Sequence, residues 1–206
     1  MKKPEETKEK IIRVAIQLFA TKGFKGTSVR EIAKITKMTP WGIYYHFQNK
    51  EGLIFAVLQN HADRFIAKIE EVLEQDIHPL ERFKLLIKTH LDFHANHIKE
   101  GKIFFLDEDV FSSKYMKKIN AYQTKIFSIY LRALENLNAQ GYTKCPFPRV
   151  TLFFVLTAVN GLVRWYRPSG KLSIDQISQI FVDLILFGMT EPPTTKQRKS
   201  RISPTK

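Results

Sequence analysis

Residues 27–53, "TSVREIAKITKMTPWGIYYHFQNKEGL", restrict the fold more than any other part of the chain. Ser28 reads as a helix N-cap, with Glu31 three residues on as its capping-box partner. The apolar face of that helix is Val29, Ile32, Ala33 and Ile35, and a three-residue turn, Thr36-Lys37-Met38, follows it. Thr39 then caps a second helix whose first position is Pro40, where the missing N–H costs nothing. Asn49-Lys50-Glu51 opens a further helix, which leaves about two turns for the one in between. So short a helix cannot bury Trp41, Tyr44, Tyr45 and His46 as well as Ile43 and Phe47. Ile43 and Phe47, spaced i, i+4, point back onto the preceding helices. Trp41 and Tyr45, also i, i+4, are turned onto a different face by the 3.6-residue repeat.

Upstream, "ETKEKIIRVAIQLFATKGF" places Ile11, Ala15, Leu18 and Phe19 on one stripe, with Gly23 as the residue that ends the helix. Helix, short helix, tight turn, short helix is the helix-turn-helix plan, in which the last helix enters the DNA major groove. The uncovered face then has a use. Tyrosine hydroxyls, the His46 ring and Lys50 suit phosphate oxygens, and Trp41 suits a thymine methyl or a sugar. The alternative is that Trp41 and Tyr45 pack against the rest of the chain. Charge favours the first reading. Residues 1–50 carry 11 Lys/Arg against 4 Asp/Glu, a net +7, whereas residues 51–190 carry only +2 and residues 191–206 carry +4. A polyanion partner for the N-terminal part follows from that asymmetry.

From about residue 8 to 56 the sequence resembles the DNA-binding signature of the TetR family of bacterial transcriptional repressors. The resemblance rests on "TSVREIAKITKMTPWGIYYHFQNKEGLI": a Thr, Ile-Ala, a turn, Thr, then hydrophobic-Tyr-x-His-Phe and Lys-x-x-Leu. It implies that Thr27 and the helix start at Ser28 hold a phosphate and that Arg30 reaches a base edge. It further implies that Thr39, Pro40, Trp41 and Gly42 form the exposed start of the recognition helix. Tyr44 would be the phosphate-binding tyrosine, flanked by Tyr45 and His46, and Lys50 would grip the backbone. Two positions depart from the pattern. Lys37 stands where the turn usually carries Gly and must adopt a left-handed conformation at a cost of ~1 kcal/mol. Trp41 stands where small residues are common.

The expected fold class is all-α: an N-terminal three-helix helix-turn-helix domain (1–49) and a C-terminal helical bundle for ligand binding and dimerisation (50–190). A basic tail (191–206), expected to be disordered, follows. The bundle helices are "PLERFKLLIKTHLDFHANHI", a short piece bounded by Gly101, a long helix ending at Gly141, an apolar helix to Arg164 and a last one capped by Ser173. The last two carry more apolar surface than one bundle face needs, so Phe153, Thr157, Ile180, Leu184 and Phe187 are expected at a homodimer interface; burial inside one chain is the alternative. One such head makes few base contacts, and a two-fold dimer on a palindrome supplies the rest.

The candidate lining of a ligand pocket is aromatic, Phe83, Phe93, Phe104, Phe105, Tyr122, Phe127 and Phe154, although aromatics at helical spacing also serve as plain core. Asn160, polar within "FFVLTAVNGLV", needs a partner in the protein or in a ligand. The C-terminal part more distantly resembles TetR members answering to fatty acids or acyl-CoA thioesters, which implies a small lipophilic effector and no cofactor. Two alternatives stay open. His90, His94 and His97 at i, i+4, i+7, followed by the acidic residues 107–109, have metal-ligand spacing. The bundle could instead recruit a protein partner. No GxSxG, HExxH, GxGxxG or phosphate loop occurs, and Cys145 beside Pro146 has no catalytic signature, so an enzyme is not expected. The single cysteine and the lack of a long apolar run point to a cytoplasmic protein without a membrane span.

Overall fold

The computed structural model describes residues 4–103 and 110–187. Every regular element among them is an α-helix. The head consists of α1 (Pro4–Lys22), α2 (Val29–Thr36) and α3 (Pro40–Phe47). The body consists of α4 (Lys50–Leu73), α5 (Pro79–Asn96), α6 (Ile98–Ile103), α7 (Ser113–Ala139), α8 (Pro148–Asn160), α9 (Leu162–Trp165) and α10 (Ile174–Phe187).

Local chemistry sets the head. Gly23 ends α1 with φ +72°, a conformation that costs glycine nothing. The Ser28 hydroxyl accepts from the Glu31 amide at 3.1 Å. The reciprocal half of that capping box is not made, because the Glu31 carboxylate pairs with Lys22 of α1 instead. Lys37 is left-handed (φ 57°, ψ 43°), as the turn demands of a residue standing in for glycine. Thr39 and Asn49 cap α3 and α4, accepting from the amides of Gly42 at 3.1 Å and Gly52 at 2.6 Å. Gln48, between them, is a second non-glycine residue with positive φ, 64°, which nothing in the sequence announced. Ile35 also departs from expectation: it is half exposed, and the buried face of α2 is Val29, Ile32, Ala33 and Thr36.

Two cores share α4. Leu53, Ile54, Phe55, Val57 and Leu58 join the head core, which also takes Ile103, Tyr115 and Ile119 from α6 and α7. Phe65, Ile69 and Val72 join the body core around α5, whose Phe83, Leu86, Ile87 and Leu91 are wholly buried. Two boundaries depart from expectation. The apolar helix that the sequence carries to Arg164 breaks at Asn160, and α9 restarts after Gly161. Gly101 lies inside α6 rather than bounding it, and α9 comes so close that a Cβ there would sit 2.7 Å from Val163 Cγ1. The Ser173–Gln176 box at the start of α10 is complete, with amide contacts of 2.9 and 3.2 Å.

Candidate functional site

The first site is the outward face of α3. Ile43 and Phe47 are 1% and 5% exposed in the head core, while Trp41 and Tyr45 are 75% and 74% exposed. The latter two rings stack at 5.9 Å, which holds both in one orientation without covering them. Tyr44 is also exposed, and His46 lies edge-on to Tyr45 at 5.4 Å. No other element among the described residues packs over Trp41 or Tyr45, so the alternative in which the body covers them does not hold. Gly42 keeps the helix start slim: a Cβ would press Met38 Cε at 3.3 Å and Thr39 Oγ1 at 3.4 Å. Thr39, Pro40, Ser28 and Arg30 are exposed beside this face.

Two neighbours have contacts that the resemblance does not give. Thr27 is only 2% exposed and its hydroxyl donates to the Gly23 carbonyl at 2.9 Å, so it braces the α1–α2 connection and its side chain is not presented to solvent. The Lys50 ammonium sits 4.2 Å from the Phe24 ring centroid, and burial lowers its pKa. This cation–π contact at the first position of α4 fixes where its charge stands; the sequence offered no sign of it, since Phe24 is distant in the chain.

The second site is a cavity of about 310 Å³ in the body. Its floor is built by His61, Ala62 and Phe65 of α4 and by His90 and His94 of α5, all buried. Ile126 and Phe127 of α7 and Leu156 of α8 supply apolar wall, Thr157 and Asn160 are the polar residues of α8, and exposed Gln123 and Phe153 stand at the rim. Of the aromatics expected here, Phe127 does line the cavity. Phe83 and Phe93 are packed in the body core, Phe154 points out at 71% exposure, and Tyr122 turns toward Asp63 and Gln59 of α4. Helical spacing alone cannot separate these fates, because it fixes a face and not what covers it. Phe104 and Phe105 lie outside the described residues, as do the acidic residues 107–109. Thr157 and Phe153, expected at a dimer contact, border the cavity as well.

The polar floor is a connected group. His90 Nε2, His94 Nε2 and Asn160 Oδ1 lie 3.0 to 3.1 Å from one another. His90 Nδ1 is 3.0 Å from the Tyr130 hydroxyl, which donates to the Leu86 carbonyl at 3.0 Å. His94 Nδ1 is buried without a hydrogen-bond partner among the described residues. His97 is not part of this group. Its Nδ1 donates to the Phe93 carbonyl at 2.7 Å and its Nε2 accepts from Arg64 at 2.7 Å, so the convergence of His90, His94 and His97 that the metal alternative requires is absent. Burial lowers the pKa of His90 and of His94, and that of His61 falls to about 3 through burial and then the nearby His94, His97 and Arg64. These imidazoles are therefore neutral near pH 7.

The apolar faces expected at a dimer contact are uncovered. Phe153 of α8 and Ile180, Leu184 and Phe187 of α10 are all exposed, the last three at i, i+4, i+7 on one stripe. No helix among the described residues is long and apolar enough to cross a membrane.

Comparison with known proteins covers both the head and the body. Residues 11–57 match the family described as bacterial regulatory proteins, tetR family, and residues 76–189 match the tetracyclin repressor-like C-terminal domain. The HTH-type transcriptional repressor KstR2 of Mycolicibacterium smegmatis is 25% identical over 194 residues, covering 91% of this chain and 93% of that protein. The crystal structure of AibR in complex with isovaleryl coenzyme A and operator DNA superposes with a TM-score of 0.80 at 27% identity, covering 89% of this chain and 100% of that one. The ketosteroid transcriptional regulator KstR2 of Mycobacterium tuberculosis has the same fold, with a TM-score of 0.78 at 23% identity over 90% of this chain and 95% of that one. With the head and more than half of the chain matched in the body, the protein belongs to the TetR family of bacterial transcriptional regulators, which are DNA-binding proteins and not enzymes.

Proposed function

We propose that this protein is a cytoplasmic repressor that binds a palindromic operator as a homodimer and is released by a small lipophilic effector of the fatty-acid or acyl-CoA type. The observation that carries the reading is the course of α4, a continuous helix that begins at Lys50 beside the α3 face and forms the cavity floor at His61. The two points are about 17 Å apart at 1.5 Å per residue. A ligand that displaces the floor therefore shifts the base of the reading head.

A second connection runs parallel to it. Gly101 of α6 borders the cavity, and Ile103, two residues on, is buried in the head core. Lys99 of the same helix donates to Gln17 of α1 at 2.5 Å. The cavity is thus coupled to the head through two helices, and its mostly apolar wall suits an acyl chain. AibR, similar over nearly its whole length, is described in complex with isovaleryl coenzyme A and operator DNA, which supports the effector class. On DNA, Trp41, Tyr44, Tyr45, His46 and Arg30 would meet the major groove and its phosphates, with Lys50 at the backbone. Two heads facing successive major grooves need a separation near ~34 Å. Ile180, Leu184, Phe187 and Phe153 would form the contact between copies. A hundredfold loss of operator affinity requires the effector to favour the other spacing by about 2.7 kcal/mol.

The test uses a duplex enriched by the protein from a randomised pool and a series of straight and branched acyl-CoA thioesters. Thioesters that fit the cavity should weaken DNA binding, and Ala62→Leu, which fills the floor, should remove that response while DNA binding persists. Indifference to the whole series, in a protein that binds DNA, would exclude the effector class.

A further inference from the structure

We propose that His90 Nε2, His94 Nε2 and Asn160 Oδ1 form a three-donor site for one divalent late first-row metal ion, nickel, cobalt or zinc, at the floor of the cavity. The hydrogen-bond directions lead there. The Tyr130 hydroxyl has one hydrogen, and it is donated to the Leu86 carbonyl. Toward His90 the same oxygen can only accept, so His90 Nδ1 carries the proton. In the neutral ring Nε2 is then a bare lone pair. It faces the Asn160 carbonyl oxygen at 3.1 Å, which is also an acceptor, and the second imidazole nitrogen, of His94, stands 3.0 Å from it. One His94 proton cannot satisfy both acceptors well. A cation satisfies all three at once.

The distances agree with a metal. Three donors mutually 3.0 to 3.1 Å apart subtend right angles at a common centre ~2.1–2.2 Å from each, which is the bond length expected for imidazole nitrogen and amide oxygen. Three neighbouring corners of an octahedron are thereby filled, and nitrogen with oxygen suits the late divalent ions. The His90–Tyr130–Leu86 chain is the kind of outer support that fixes the tautomer and aim of a metal-bound histidine. Among the described residues no three histidine, cysteine or carboxylate side chains converge in this way; the third donor here is an amide. All three residues line the cavity, so a bound ion would offer a carbonyl or carboxylate oxygen an anchor there. That use rests on the cavity being the effector site; the metal site itself does not.

The experiment takes full-length protein stripped with a chelator and titrates it calorimetrically with nickel, cobalt or zinc chloride in the absence of any effector. One ion per chain is expected. His94→Ala should weaken binding at least tenfold, and Asn160→Asp, which replaces the amide with a carboxylate, should strengthen it at least tenfold, with circular dichroism showing both folded. The cobalt form should have the weak visible bands of six-coordination. No saturable binding, or binding that His94→Ala leaves unchanged, overturns the proposal. The Asn160 amide would then be turned, its NH2 donating to both Nε2 atoms. Because no effector is present, either result leaves the effector reading to its own test.

Discussion

Trp41 and Ile43 lie two residues apart on one eight-residue helix, yet truncating them should have opposite effects. Ile43 is buried among α1, α2 and α4, and Ile43→Ala removes a side chain from a filled core. The expected cost is about 2–4 kcal/mol of stability. Trp41 is three-quarters exposed, and among the described residues its one ring neighbour is Tyr45 at 5.9 Å. Losing that exposed stack costs ~0.5 kcal/mol, and alanine's better helix propensity returns a similar amount, so Trp41→Ala should leave stability within about 0.5 kcal/mol of the original. Its effect should appear on DNA. If half of the exposed ring area, ~75 Å², is covered in the groove, about 2 kcal/mol is lost per head. In a dimer that is about 4 kcal/mol, or roughly a thousandfold in Kd. Urea denaturation gives the stability, and fluorescence anisotropy with the enriched duplex gives the affinity, measured for Ile43→Ala at a temperature where it remains folded. A Trp41→Ala protein that loses more than 2 kcal/mol of stability, or binds DNA as well as the parent, would refute the assignment of the two faces.

Lys50→Ala should weaken binding to all duplexes alike and lower the slope of log K against log salt by about 1, as read from anisotropy at several salt concentrations. Leu184→Glu places a charge in the exposed stripe of α10; sedimentation should show a monomer whose helix content is unchanged. Acid should destabilise the chelator-treated protein through its buried imidazoles. His61, held to about 3 when folded, titrates near 6.5 when unfolded, so the unfolded chain takes the proton first. Its contribution is complete above pH 6.5 and is lost as pH falls toward 3, by up to about 1.4 kcal/mol per pH unit, which denaturation curves across pH 4–7 will show.

The head was legible in the sequence because its determinants are local. Caps at Ser28, Thr39 and Asn49, a proline at the start of α3 and two i, i+4 pairs set both the elements and the faces. Even the strained Lys37 could be foreseen from its place in the turn. The body was legible as helices but not as a site. Phe83 and Phe127 read alike in the sequence, and only the packing of α5 and α10 on one and the gap between α7 and α8 beside the other separate them. Likewise His97 repeats the spacing of His90 and His94, but the end of α5 turns it to Arg64. Asn160, the last residue of α8, takes its place, and the apolar run concealed the break that follows it. The polar signal at Asn160 was visible; its partners, 66 and 70 residues away, were not.

The central claim is an energetic coupling between the cavity and the α3 face, and reciprocity tests it most directly. Calorimetry would measure the affinity of the most active acyl-CoA thioester for the protein alone and for the protein saturated with its duplex. Anisotropy would measure how far the same thioester weakens DNA binding. The two factors should be equal and at least tenfold, since one coupling free energy governs both. A thioester that binds equally well with and without DNA would contradict the claim, however tightly it binds.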